Sequence, residues 1–191
     1  MNIVQKIGWK AGRYFLKGEM KNLRKQTVAV GFDDSAKIGI LYDASVKDNY
    51  EAVKNFVRRI RNLQKDVKSL GFINSRTLPG DQFIKLGMDF FTLADVNWHY
   101  KPSGKVTSNF MKEDFDVVIN FSMDECLPLE YISVFSKTKF RIGKYSERNK
   151  QFYDFMIDLK TGDSIAKFVN DVEHYLQVIN SKHSPVTNSN Q

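Results

Sequence analysis

The chain has 191 residues, 42% of them apolar and 27% charged, enough for one globular domain with its own core, which excludes a disordered chain and a disulfide scaffold. Its 29 Lys and Arg against 22 Asp and Glu give a net charge of +7, spread unevenly: residues 1–77 carry +9, residues 78–131 carry −5 and residues 132–191 carry +3. Residues 28–191 hold 22 basic and 21 acidic residues, so the excess lies almost wholly in residues 1–27.

A single cysteine, Cys126, allows no internal disulfide, and His99, His174 and His183 are too dispersed for a metal-ligand motif. No metal and no cofactor is expected, and the compartment reads as reducing. No run approaches the roughly 18 apolar residues of a membrane-spanning helix, and Lys6, Lys10 and Arg13 interrupt any signal-peptide core. An organelle transit peptide is disfavoured because the first serine is Ser35. A soluble, cytoplasmic protein is the expectation.

Residues 2–26 lack proline and read as a helix, with Lys6, Lys10, Arg13, Lys17, Lys21 and Arg24 recurring at spacings of three and four as a basic stripe. Its apolar residues are split, with Ile3, Ile7 and Tyr14 on one flank and Trp9, Leu16, Met20 and Leu23 on the other. Gly8, Gly12 and Gly18 each weaken such a helix by about 1 kcal/mol relative to alanine. The segment 1–27 is therefore read as a basic arm that needs a partner surface, its own domain or another molecule.

The globular part, residues 28–180, opens with the apolar run Lys37 to Tyr42, closed by Asp43 and Ser45, as a buried strand. A helix follows in which Val53, Phe56, Val57, Ile60, Leu63 and Val67 keep a buried rhythm, while Lys54, Arg58, Arg61 and Lys65 form a second basic stripe. Lys68 to Ile73 is a second strand, so strand, helix and strand make a parallel crossover. Pro79-Gly80 marks a turn, Phe90-Phe91 a short strand and Lys101 to Gly104 a loop. Phe115 to Phe121 suits a central strand, Leu127 to Phe135 a short helix, and residues 139–143 and 152–159 two more strands. A last helix spans about Ser164 to Ile179, and residues 181–191 read as a flexible tail.

Ligands of open α/β sheets bind beyond the carboxyl ends of the strands, so the candidate crevice comprises Asp43, Ser45, Asn120, Ser122 and Asp124. No glycine-rich dinucleotide fingerprint or phosphate loop accompanies it. Ser122-Met-Asp-Glu125 has the pattern of a helix capping box, which puts Cys126 in the first turn with two carboxylates opposing its thiolate and no base nearby. No catalytic residue is assigned. Trp98 and Tyr100, around His99, either stack on bases or sugars or anchor their loop. The first basic stripe fits the phosphates of structured RNA or a ribonucleoprotein; the second reads as a solvated helix face that assists it. A protein complex anchored by the N-terminal helix, or peripheral contact with an anionic membrane through Trp9, Phe15 and Leu16, are the other partners considered.

Two resemblances follow. Ala36 to Asp43, Phe115 to Asn120 with Pro128 to Ile132, Lys139-Phe-Arg-Ile-Gly143 and Tyr153 to Asp158 resemble an uncharacterised family of short, stand-alone bacterial proteins. Phe115 to Gly143 is more distantly similar to a strand-helix-strand unit in the N-terminal Rossmann-like half of heptosyltransferase-type glycosyltransferases, which implies a fold and, at most, a sugar-binding crevice. The expected fold is one three-layer, Rossmann-like α/β domain with a mostly parallel sheet of about five or six strands, preceded by the basic N-terminal helix. The expected function is a non-enzymatic module that docks this helix on an anionic partner. A small-ligand protein or enzyme using the crevice for a sugar or nucleotide, and a subunit of a protein complex, are the alternatives.

Overall fold

In a computed structural model, residues 3–21, 23, 27–78 and 88–181 are described. Six strands, β1 (Lys37–Asp43), β2 (Asp66–Ile73), β3 (Asp89–Thr92), β4 (Phe115–Asn120), β5 (Thr138–Lys144) and β6 (Phe155–Ile157), form one sheet in the order 3-2-1-4-5-6. Every neighbouring pair is parallel. This is the strand order of doubly wound dinucleotide-binding folds, and the domain is Rossmann-like.

The alternating side chains of each strand feed two cores. Ile38, Ile40 and Tyr42 of β1, with Val117 and Ile119 of β4, meet Val53, Phe56 and Ile60 of α2 (Lys47–Asn62) and Phe168, Val172 and Leu176 of α5 (Ile165–Ser181). On the opposite face Leu41, Leu70, Phe72, Phe91 and Val118 meet Phe110 of α3 (Lys105–Lys112) and Leu129 and Ile132 of α4 (Leu127–Phe135). Leu127 through Val134 are all buried, because a further helix, α1 (Ile3–Met20), covers the outer side of α4. A helix apolar all round is stable only when enclosed in this way.

The N-terminal helix thus docks on its own domain. Leu16 is 1% exposed among Leu127, Tyr131 and Phe152, with Trp9, Met20 and Tyr100 at the margin. Gly8 and Gly12, which local propensity marks as weak points, are the contact itself: a Cβ would stand 2.3 Å from the Trp98 carbonyl oxygen at Gly8 and 2.0 Å from that of His99 at Gly12. The split apolar face has the same origin, since the Trp9, Leu16 and Met20 flank faces the domain while Ile3, Ile7 and Tyr14 remain outside.

Some boundaries shift. The helix ends at Met20, and Arg24 lies outside the described residues, as do the Pro79-Gly80 turn and residues 182–191 of the expected tail. Val67 belongs to β2 rather than to the preceding helix, which stops at Asn62. The segment 152–159 contributes only Phe155–Ile157 as strand.

Candidate functional site

The first and fourth strands part at the centre of the sheet, where the Phe121 amide donates to the Leu41 carbonyl at 2.8 Å and the chains then diverge. Two cavities open along this carboxyl edge. One, of about 200 Å³, lies beyond β4 and β5 and is lined by Asn120, Ser122 and Asp124 together with Glu130, Lys144, Arg148, Asn149 and Tyr153. The other, of about 490 Å³, lies beyond β1 and β2, with Asp43, Asn74 and Cys126 on the domain side and Gln5 and Trp9 of α1 on the other. Glu125 lines both.

The crevice expected from the sequence is therefore divided. Asp43 lines the larger cavity; Asn120, Ser122 and Asp124 line the smaller. Ser45 lines neither: its hydroxyl accepts from the Asn74 amide at 2.8 Å while its own amide donates to Asp43, so it locks the β1 and β2 tips together. Ser122 does not cap α4. Its hydroxyl and amide both donate to the Asn120 Oδ1, at 2.6 and 3.1 Å, and the helix starts instead after Cys126, with Pro128 in its first turn. Burial pushes the Cys126 thiol far above its ordinary pKa, which disfavours a thiolate nucleophile.

The small cavity is built around charges the sequence does not bring together. Arg148 reaches Glu130 at 2.6 Å and also pairs with Glu125, which accepts from Arg13 of α1 at 3.1 Å. The alternating chain Arg13, Glu125, Arg148, Glu130 runs from the helix surface into the domain. Glu130 is 6% exposed, and burial raises its carboxyl pKa to about 7 against the pull of Arg13; the bond from Arg148 acts in the same sense as Arg13. Burial, reinforced by Arg13, lowers the Arg148 guanidinium to about 10. Beside them Asn120 donates to the Tyr153 hydroxyl at 2.7 Å, and Lys144 donates to the Met123 carbonyl at 2.7 Å. Among the described residues, the buried Arg148 Nε and Asn149 Oδ1 at this cavity have no hydrogen-bond partner.

The basic residues separate into inward and outward sets. On α1, Arg13 turns to Glu125 and the only acid, Glu19, is held by Lys101 at 2.7 Å, whereas Lys6, Lys10 and Lys17, with Lys21 just past the helix end, are exposed and make no ion pair among the described residues. The second stripe does not form a row. Lys54 pairs with Glu51 over the Tyr50 ring, and Lys65 leaves the helix to donate to the carbonyls of Asp33 and Ser35. Arg58 and Arg61 are exposed, and Arg59, absent from the expected stripe, joins α2 to α5 through Glu173 at 2.8 Å. Trp98 is 68% exposed, while Tyr100, at φ +65°, is half-buried against α1. His99 lies against Phe15, ring centroids 4.9 Å apart, and meets Asn97 at 2.8 Å. Among the described residues no three His, Cys, Asp or Glu side chains are placed to hold a metal ion.

The residues that carry the resemblances have structural tasks. Asp116 accepts from the amides of Ala36 and Lys37 and from Lys139, Arg141 caps the carboxyl end of α4 through the carbonyls of Ser133, Val134 and Ser136, and Gly143 leaves room for the Tyr153 ring. Asp154 accepts from the Arg141 amide and from Thr27. These ties specify the fold rather than a reaction.

No curated protein and no solved structure gives a significant match to the chain. Residues 9–179, from Trp9 in the docked helix to Ile179 in α5, match the model of a family of unknown function, DUF6913, and the chain belongs to that family.

Proposed function

We propose that the protein is a non-enzymatic binding module that docks on an anionic, phosphate-bearing partner through the outward face of α1. The carrying observation is the sorting of charge on that helix and at its end: both inward charges, Arg13 and Glu19, are neutralised by the domain, while Lys6, Lys10 and Lys17, with Lys21 just past the helix, are exposed without ion-pair partners among the described residues. Such a row gains affinity by releasing counterions from phosphates. Structured RNA or a ribonucleoprotein, the partner expected from the charge map, fits the lysines; Arg58 and Arg61 of α2, and Trp98 as a stacking group, would assist. Transfer RNA binding at low and physiological salt tests the reading. Replacing Lys10 and Lys17 with glutamine should weaken binding and flatten its salt dependence; unchanged binding would sink the proposal.

A second reading, a small-ligand protein or enzyme, is favoured by Arg148 Nε and Asn149 Oδ1 at the small cavity, which have no hydrogen-bond partner among the described residues. The similarity of Phe115 to Gly143 to the heptosyltransferase-type unit supports a sugar as its ligand, and a nucleotide is the other candidate. Thermal shift across sugars, sugar phosphates and nucleotides separates the readings, since a ligand at about one hundred times its dissociation constant stabilises by roughly 2.7 kcal/mol. Silence across the panel would count against it. We also propose a stand-alone, cytoplasmic, bacterial protein, on the resemblance and the single cysteine. Recovery from a periplasmic fraction would contradict that location.

A further inference from the structure

We propose that the outward face of α1 lies flat against the surface of an anionic phospholipid bilayer. The inference rests on the anionic-partner reading above and names the partner. One side of α1 is consumed by the domain through Gly8, Gly12 and Leu16. On the other, Ile3, Val4, Ile7 and Tyr14 stand 76%, 77%, 58% and 77% exposed. At helical spacing Ile3, Ile7 and Tyr14 fall within about 40° of one another, and Lys6, Lys10 and Lys17 line one edge of that strip. Single exposed apolar side chains are ordinary; a row of them along one docked helix marks a contact surface.

The composition of the row selects the partner. The aliphatic side chains of Ile3, Val4 and Ile7 neither neutralise phosphates nor stack on bases as aromatic rings do, so an RNA would use the lysines and leave the strip in water. A bilayer surface uses both. The apolar strip enters the boundary between headgroups and acyl chains, Tyr14 suits the headgroup level, and the lysines extend to lipid phosphates. Anionic lipid attracts each lysine held near the surface, so the contributions of Lys6, Lys10 and Lys17 multiply. The helix lies along the surface rather than crossing it: it spans 18 residues with its inner side fixed to the domain, and no described helix is long and apolar enough to cross a membrane.

The test is co-sedimentation of the full chain with vesicles of phosphatidylcholine alone and with added phosphatidylglycerol, beside binding to transfer RNA. Three proteins are compared: the natural chain, one with Ile3, Ile7 and Tyr14 changed to serine, and one with Lys6, Lys10 and Lys17 changed to glutamine. All six side chains are exposed, and unchanged thermal unfolding verifies the fold. The inference requires binding to the anionic vesicles only, weakened about tenfold or more by the serine substitutions and about a hundredfold by the glutamine substitutions. Binding to transfer RNA without binding to vesicles overturns the bilayer and leaves the anionic-partner reading standing. Vesicle binding untouched by the serine substitutions also overturns it, because the apolar strip then plays no part. Binding to neither surface overturns both.

Discussion

Gly12 presses so closely on His99 that a Cβ there would stand 2.0 Å from the His99 carbonyl oxygen and 2.8 Å from Leu127 Cδ2. Gly12→Ala therefore has two opposed effects. Alanine favours an isolated helix by about 1 kcal/mol, but the clash with backbone forces α1 away from the domain, an overpacking cost of about 1–3 kcal/mol. Net destabilisation is expected in chemical denaturation, with faster proteolysis within α1. At Gly18 no described residue beyond its own helix backbone and chain neighbours comes within 4 Å of such a Cβ, so Gly18→Ala should stabilise by about 0.5–1 kcal/mol. Equal effects from the two substitutions would show that the close approach is unimportant.

Tyr131 extends the same contact, its buried hydroxyl donating to the Gly12 carbonyl at 2.8 Å. Tyr131→Phe keeps the ring packing and removes the bond, at a cost of about 1 kcal/mol in unfolding free energy. A loss below the error of the measurement would mean that apolar packing alone seats the helix. The docking also makes deletion of residues 1–27 a poor probe of binding, since it would uncover Leu127 and Tyr131; substitution of outward side chains is the cleaner experiment.

Glu130 is buried, and the partly exposed Arg148 compensates its charge at 2.6 Å. Arg148→Met removes the nearest cation from Glu130, whose carboxyl then takes up a proton more readily, and should cost about 1–3 kcal/mol at neutral pH. Combining it with Glu130→Gln should recover much of the loss, because the uncompensated charge is removed. Additive losses in this double-mutant cycle would show that the two residues act independently.

The same glutamate carries a pH signature. Its folded-state pKa of about 7 lies above the ordinary 4.5, so the folded protein binds the proton more tightly than the unfolded chain. The stability from this group is full below pH 4.5 and is lost as pH rises through about 7, by about 1–3 kcal/mol. Glu113 has the opposite sign: hydrogen bonds from Lys37 and Lys68 lower its pKa to about 2, and its contribution is lost as pH falls from 4.5 through 2. Denaturation across pH should show Glu130→Gln removing the dependence between 4.5 and 7 while the acid limb persists. A profile unaltered by that substitution would refute the assignment.

The elements legible in the sequence are those whose side chains report a local period. The apolar runs of β1 and β4 and the rhythm of Val53, Phe56, Val57 and Ile60 in α2 identify strands and helix directly, and the parallel sheet follows from their alternation. What escaped depends on distant neighbours. Gly8 and Gly12 read as local weaknesses because the carbonyls they accommodate belong to residues 98 and 99. The Ser122 and Glu125 pattern of a capping box is overridden because Asn120 claims the serine and Arg148 the glutamate, while the capping box that does form, Thr92 with Asp95, surrounds a single 3₁₀ turn. Of the site, Asp43 and Asn120 were visible as strand ends. Arg148 and Glu130 were not, since a loop arginine and a helix glutamate ordinarily face solvent.

The most direct test of the central claim compares two variants of equal net charge. One replaces Lys6, Lys10 and Lys17 on α1 and Lys21 just beyond its end with glutamine; the other replaces Lys47, Lys105, Lys112 and Lys160, four exposed lysines elsewhere on the domain. Affinity for transfer RNA and for phosphatidylglycerol vesicles would be measured against salt for each. If α1 is the docking face, the first variant loses binding and most of its salt dependence to at least one of these surfaces, while the second stays near the natural chain. Equal losses in both variants would contradict the account, because binding would then follow total charge and not the face that presents it.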